Sequence, residues 1–137
     1  MPSNKVLFID DDETNNFLIS LILPNIQEIE TYKIITNGWV GLEYLNSAKS
    51  DFPNLIFIDL RMSEMDGMEF IERYESVFYK EFPETKIVVV SNSLNKSEKE
   101  KALNFPSVIQ FMDKPLTEEK IKDLLVIYKT PLEKYKK

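Results

Sequence analysis

Short, uninterrupted runs of apolar residues alternate along the chain with segments in which apolar residues recur at helical spacing. An uninterrupted apolar run is typical of a parallel strand that is covered by helices on both faces. Residues 31–36 are β-branched and aromatic but more polar, which suits a strand at the edge of a sheet. The predicted strands are residues 6–9, 31–36, 55–58, 86–91 and 108–112.

The first two predicted helices follow the first two strands. Thr14 is predicted to cap the first helix, which we expect to end near Pro24. Asn37-Gly38 indicates a turn before the second helix, in which Trp39 is expected to pack against the sheet. The apolar face of the first helix is predicted to consist of Phe17, Leu18, Leu21 and Ile22.

Three further helices are predicted in the second half of the chain. Residues 68–79 carry a broad apolar stripe that includes Val77, whereas residues 96–103 are highly charged and indicate a solvated helix. The last helix is predicted to open at residues 117–120. Its apolar face is expected to consist of Ile121, Leu124, Leu125 and Tyr128.

Five strands that alternate with five helices form the doubly wound α/β pattern, and 137 residues fit one domain of this class. Ligands of such folds bind beyond the carboxyl ends of the strands. Acidic residues follow the first, third and fifth predicted strands, and like charges gathered at one rim need a cation to be tolerable. The polar residues at the strand ends are Asp10, Asp11, Asp12, Asp59, Ser91, Asp113 and Lys114.

Composition narrows the possible chemistry. The chain has no cysteine and no histidine, which excludes disulfides, thiolate sites and histidine-based catalytic triads. The net charge is −6 and no basic stripe is present, so the chain is a poor candidate for direct nucleic-acid binding. No apolar run has membrane-spanning length and no secretory signal is visible, so we expect a cytoplasmic protein with no membrane contact.

The combination of these stretches resembles the receiver domain of response regulators in bacterial two-component signalling, with single-domain chemotaxis regulators closest in layout. The resemblance implies a flavodoxin-like, five-stranded parallel sheet of order 2-1-3-4-5 with five helices. It further implies a receiver domain over residues 4–130, a short polar tail over 131–137 and no output domain. The matching stretches are Val6–Asp11, Leu55–Asp59, Met65-Asp66-Gly67, Val88–Ser91, and Phe111 with Lys114-Pro115.

The resemblance also assigns roles to single residues. Asp59 would accept the phosphoryl group and would also bind Mg²⁺. Asp10 and Asp11 would form the acid pair that holds the cation, with Asp11 the more direct ligand. The main-chain carbonyl of Arg61 would be a further ligand of the cation. Ser91 and Lys114 would bind the phosphoryl oxygens.

Signalling by such a domain would depend on a change at its surface. Ser91 and Phe111 would act as the switch pair, and the surface around helix 4, strand 5 and helix 5 would change its affinity for a partner. Pro115 stands where the family often has a cis peptide bond. The implied partners are a histidine kinase or phosphotransfer protein and an unidentified protein target, with the chain a monomer or weak dimer. The domain would catalyse only its own phosphorylation and dephosphorylation and is not expected to be a turnover enzyme.

One departure and two alternatives accompany this interpretation. Ser63 stands where the family usually has proline, and we expect it to loosen the loop without contributing chemistry. Residues 6–14 also fit the haloacid-dehalogenase pattern, in which Asp10 would be a phosphatase nucleophile and Asp12 the general acid. That family would need a further acidic pair after Lys114 and a longer chain. The other alternative is a degenerate receiver that acts only as a binding module.

Overall fold

The computed structural model describes residues 4–92 and 95–128. Strands and helices alternate within these residues, as the sequence pattern predicts. A π-helical turn, Glu75–Tyr79, continues α3, and short 3₁₀ turns follow α1 and α2. The strands are β1 Asn4–Ile9, β2 Ile29–Ile35, β3 Leu55–Asp59, β4 Lys86–Ser91 and β5 Val108–Asp113. The helices are α1 Glu13–Ile22, α2 Gly38–Ser47, α3 Gly67–Tyr74, α4 Lys96–Leu103 and α5 Glu118–Tyr128.

The strands of the described residues form one parallel sheet of order β2-β1-β3-β4-β5. This confirms the predicted fold class. The chain order reverses between β1 and β3, where Ile9 lies beside Ile58 at the carboxyl ends of both strands. An open α/β sheet has its ligand crevice at such a reversal, so the fold brings the residues after β1 and β3 into one site.

Alternate side chains of the central strands enter two separate cores. Leu7 and Ile9 of β1 face one cluster, which is completed by residues of α2, α3 and α4. Val6 and Phe8 face a second cluster, which is completed by α1 and α5. Because a strand directs successive side chains to opposite faces, a sheet covered on both sides needs the uninterrupted apolar runs of the sequence. All five residues of β3 are accordingly buried.

Helix α1 is rotated relative to its predicted orientation. Its cap is Asp12, whose carboxylate accepts a hydrogen bond of 3.1 Å from the main-chain N–H of Asn15, so the prediction of Thr14 as cap is wrong. Asn16 donates to the main-chain carbonyl of Asp10 at 2.7 Å, which turns Asn16 and Ile19 inward. The predicted apolar face is therefore largely exposed, at Phe17, Leu18 and Leu21.

The start of α2 and the positions of the Trp39 and Val77 side chains also differ from expectation. At the predicted Asn37-Gly38 turn, Asn37 is the N-cap of α2, and its side-chain oxygen accepts a hydrogen bond from the N–H of Val40. Gly38 is the first residue of the helix. Trp39 is 47% exposed and does not pack on the sheet as predicted. The guanidinium carbon of Arg73 lies over the Trp39 ring, 4.6 Å from the ring centroid. Val77 is exposed because the π-helical turn interrupts the regular helical spacing that its predicted burial assumed.

Several other expectations are met. The edge position of β2 is confirmed, although the strand begins at Ile29. Helix α4 buries Ala102 and is otherwise mostly solvated. Among the described residues, no helix combines the length and apolar character needed to cross a membrane. The predicted tail over residues 131–137 lies outside the described residues.

Candidate functional site

Two buried carboxylates meet where β1 and β3 end. Asp10 follows β1 directly and is 5% exposed, and Asp59 is the last residue of β3 and is 4% exposed. Asp11, which is more accessible, completes the group, and each of the three residues offers a carboxylate oxygen within 4.8 Å of the others. Parallel pairing of β1 with β3 is what brings residues so distant in sequence together. The predicted acidic cluster is therefore formed.

Lys114 joins this group from the end of β5. Its Nζ lies 2.8 Å from Oδ2 of Asp10 and 3.3 Å from Oδ2 of Asp59. Its main-chain N–H donates to the carbonyl of Ser91 at 3.0 Å, which ties the ends of β4 and β5 together. The Lys114–Pro115 peptide bond is cis, as the resemblance implied. One ammonium group thus bridges two strand-end carboxylates.

Burial and neighbouring charge change the acidity of Asp59 and Lys114. Burial, together with the negative charge of Asp10, raises the pKa of Asp59 from 3.8 to about 6, against the opposing effects of Lys114 and the Arg61 N–H. Burial lowers the pKa of Lys114, but the hydrogen bond and charge of Asp10 and the charge of Asp59 outweigh it, so that pKa is raised. Lys114 is therefore a cation at neutral pH, and Asp59 carries a charge that the site disfavours.

Asp10 is held by groups that the sequence analysis did not select. The main-chain N–H of Asp12 donates to its Oδ1 at 2.9 Å, and the side-chain amide of Asn15 donates to its Oδ2 at 2.8 Å. Asp12 and Asn15 donate from the start of α1, and Lys114 donates from the end of β5. These three donors orient the Asp10 carboxylate. An amide at the start of a helix that follows an acidic strand end is the signal that could have identified Asn15.

Arg61 connects the loop after β3 with α4. Its main-chain N–H donates to Oδ1 of Asp59 at 3.3 Å, and its guanidinium pairs with both carboxylate oxygens of Glu98 at 2.8 and 2.6 Å. Glu98 also closes the capping box of α4 with Asn95. The hydrogen bond and charge of Arg61 lower the pKa of Glu98. The assignment of the Arg61 carbonyl as a metal ligand stays a prediction.

Ser63 contacts the acidic cluster directly. Its main-chain N–H donates to Oδ2 of Asp11 at 3.0 Å, and its hydroxyl donates to the same oxygen at 3.3 Å. These two hydrogen bonds tie the loop to Asp11, a contact that the expectation of a loosened loop did not include. A residue type that departs from a family pattern inside a functional loop was the available signal.

The other predicted residues divide between site and surroundings. Ser91 is fully buried at the end of β4, and its hydroxyl has no hydrogen-bond partner among the described residues. Phe111 is partly buried against the cluster shared with α3 and α4, and Asp113 is exposed, outside the site. Asp12 serves as a helix cap, which is not the role that the haloacid-dehalogenase alternative requires.

Comparison with known protein families identifies relatives of this sequence. The family model described as the response regulator receiver domain matches residues 6–126. The response regulator protein VraR of Staphylococcus saprophyticus is 32% identical over 100 residues, which is 73% of this chain. That match covers 44% of the relative, so the chain spans about half the length of the curated relatives it matches.

Solved structures give the same fold. A two-component response regulator from Cytophaga hutchinsonii superimposes with a TM-score of 0.81 and 28% identity, over 90% of this chain and 94% of that one. The Mn²⁺-bound form of response regulator Rcp1 has a TM-score of 0.72 and 20% identity, over 95% of each chain. Chemotaxis protein CheY4 of Vibrio cholerae has a TM-score of 0.74 and 20% identity, over 91% of this chain and 98% of its own.

Proposed function

This chain belongs to the response regulator receiver family of two-component signalling, and we propose that it accepts a phosphoryl group on Asp59. The donor would be a histidine kinase or a phosphotransfer protein. The observation that carries the proposal is the position of the Asp59 carboxylate, which is buried at the topological reversal of the sheet and shares the Lys114 ammonium with Asp10. Such a group is disfavoured as a lone anion and is placed where ligands of this fold bind.

The residues fit a hard divalent cation. The three aspartates offer oxygen ligands within 4.8 Å of one another, which is the donor type that Mg²⁺ and Mn²⁺ prefer. The similarity to the Mn²⁺-bound form of Rcp1 supports such a site. When bound, Mg²⁺ would neutralise charge that the incoming phosphoryl group brings to the acidic rim. Asp10, Asp11 and Asp59 would hold it, with the Arg61 carbonyl as the further proposed ligand.

Transfer would form a bond between phosphorus and a carboxylate oxygen of Asp59 while the bond between phosphorus and the donor breaks. With a phosphohistidine donor the leaving group is the imidazole nitrogen, which retains the electron pair of the broken P–N bond. Lys114 would move its hydrogen bonds to a phosphoryl oxygen and stabilise its charge. The chain would therefore supply positioning and charge compensation, with no general base required.

Ser91 would report the phosphoryl group to the surface. Its buried hydroxyl has no hydrogen-bond partner among the described residues, so a phosphoryl oxygen at Asp59 would give it one. Phe111, partly buried beside α4, would then favour its inward rotamer. We propose that this shifts the population of two arrangements of the α4, β5 and α5 surface and changes its affinity for a protein target.

The proposal is tested by incubating the protein with Mg²⁺ and acetyl phosphate and measuring the intact mass. We expect an adduct of one phosphoryl group in the wild type and in Asp113→Asn, a matched strand-end variant outside the site. The adduct should be absent in Asp59→Asn and after chelation of the metal.

Each alternative has its own outcome. An adduct that persists in Asp59→Asn but is lost in Asp10→Asn, together with turnover of the donor, would favour a phosphatase with Asp10 as nucleophile. A folded wild-type protein that forms no adduct and binds no Mg²⁺ would indicate a degenerate receiver that acts only by binding.

A further inference from the structure

We infer that Ser63 positions the Asp11 carboxylate for cation binding, through two hydrogen bonds to one of its oxygens. The inference rests on the proposed function, because it gives Ser63 a role toward the cation that Asp11 would hold.

The geometry of the contact is specific. Both the main-chain N–H and the hydroxyl of Ser63 donate to Oδ2 of Asp11, at 3.0 and 3.3 Å, across 52 positions of the sequence. The two donors act on the same oxygen, and they belong to the loop between β3 and α3, whereas Asp11 belongs to the loop after β1. The contact therefore fixes the rotation of the Asp11 carboxylate relative to Asp59.

Asp11 is the member of the cluster for which such a restraint has most effect. Asp10 is buried and already held by Lys114, Asn15 and a main-chain N–H. Asp11 is more accessible, so its side chain would otherwise sample several rotamers. A ligand that is oriented before the cation arrives loses less conformational freedom on binding, and hydrogen bonds to metal-ligating carboxylates are known to support affinity.

The residue type also matters. Proline, the usual residue at this position in the family that the chain resembles, has no N–H and no hydroxyl and can make neither bond. Alanine keeps the main-chain donor and loses the longer hydroxyl bond. Threonine keeps both donors. These three substitutions separate the contributions of the two hydrogen bonds.

The test is a titration of the full chain with Mn²⁺, in which electron paramagnetic resonance reports the free ion, so that no phosphorylation is needed. We expect the dissociation constant to rise about tenfold in Ser63→Pro and about threefold in Ser63→Ala, and to change little in Ser63→Thr. Ser47→Ala removes the hydroxyl of a serine on α2 that donates to the main-chain carbonyl of Tyr44, and it should leave Mn²⁺ affinity unchanged.

Circular dichroism and thermal melting show which variants are folded. If Ser63→Pro and Ser63→Ala are folded and bind Mn²⁺ as tightly as the wild type, Ser63 has a structural role only and the inference is wrong. Should Ser63→Pro fail to fold, the comparison of alanine with threonine decides: equal affinities overturn the inference. A wild type without saturable Mn²⁺ binding would overturn the proposed function as well, which distinguishes the two failures.

Discussion

The Asp59 carboxylate shows how the surroundings of a single residue change its acidity. It is buried, lies beside the like charge of Asp10, and is paired with Lys114 at 3.3 Å. Desolvation and Asp10 together outweigh the favourable charge of Lys114, so the pKa of Asp59 rises to about 6. Without a bound cation, the ionised Asp59 carboxylate therefore places the site under electrostatic strain near neutral pH and lowers the stability of the folded state.

This strain predicts a pH dependence of stability in metal-free buffer. The folded-state pKa of about 6 lies above the ordinary value of 3.8, so the folded state binds the Asp59 proton more tightly than the unfolded state. The resulting stabilisation is present below pH 3.8 and is lost as pH rises through 6. After allowance for screening by water at the rim, we expect a loss of about 1–2 kcal/mol.

The measurement is urea unfolding of the wild type and Asp59→Asn between about pH 4 and 7.5 with a chelator present. The asparagine variant cannot titrate at this position. Its free energy of unfolding should therefore increase relative to that of the wild type as pH rises. Parallel pH profiles for the two proteins would show that Asp59 has no raised pKa in the folded state.

At the scale of elements, the loop between β3 and α3 is held against the start of α3. Asp66 caps the helix by accepting from the N–H of Glu69, and the N–H of Gly67 donates to the carbonyl of Leu60 at 3.0 Å. A Cβ on Gly67 would lie 2.7 Å from the main-chain oxygen of Asp59. The Asp-Gly pair of the sequence motif therefore lets the backbone at Asp59 and the start of α3 approach each other closely.

Substitution of this glycine should disturb the site through the backbone. We expect Gly67→Ala to lower the free energy of unfolding by about 1–3 kcal/mol and to weaken Mg²⁺ binding, because main-chain atoms of β3 must move. Gly38→Ala is the matched control, since its Cβ would meet the flexible side chain of Met65. Denaturant unfolding and Mg²⁺ titration of both variants provide the check, and equal effects would contradict the backbone explanation.

Elements also show where sequence patterns stop being informative. Apolar runs located the strands, since a strand covered on both faces is apolar at every position. Helix α1 was located but its rotation was not, because Phe17 and Leu21 satisfy the same helical spacing as Ile19 and Leu23. The hydrogen bond from Asn16 to the Asp10 carbonyl selects the orientation, and it depends on where β1 places that carbonyl.

At the scale of the whole molecule, the charged residues of the site come from three separate strand ends. β1 and β3 contribute carboxylates, and β5 contributes Lys114 although β4 lies between β3 and β5. A cation held by residues at the ends of both β1 and β3 would bind the folded state, in which the two strands pair, and not the unfolded chain. Its binding would therefore stabilise the whole sheet and not one loop.

Mg²⁺ should accordingly raise the thermal unfolding midpoint. At a concentration of about 100 times its dissociation constant, the added stability is about 2.7 kcal/mol. Asp11→Asn should lose most of this increment, whereas Asp113→Asn should retain it, because Asp113 is exposed and outside the cluster. Thermal melts with and without Mg²⁺ test this, and a similar increment in all three proteins would place the stabilising ion elsewhere.

The sequence by itself determined the alternation of strands and helices, the doubly wound fold, and the residue types at the strand ends. These follow from local periodicity and from the need to bury apolar surface. The tertiary structure decided the rotation of α1, the exposure of Trp39, the donors around Asp10 and the contact of Ser63 with Asp11. Each depends on how the ends of separate strands and loops meet in space, and one-dimensional spacing does not carry that information.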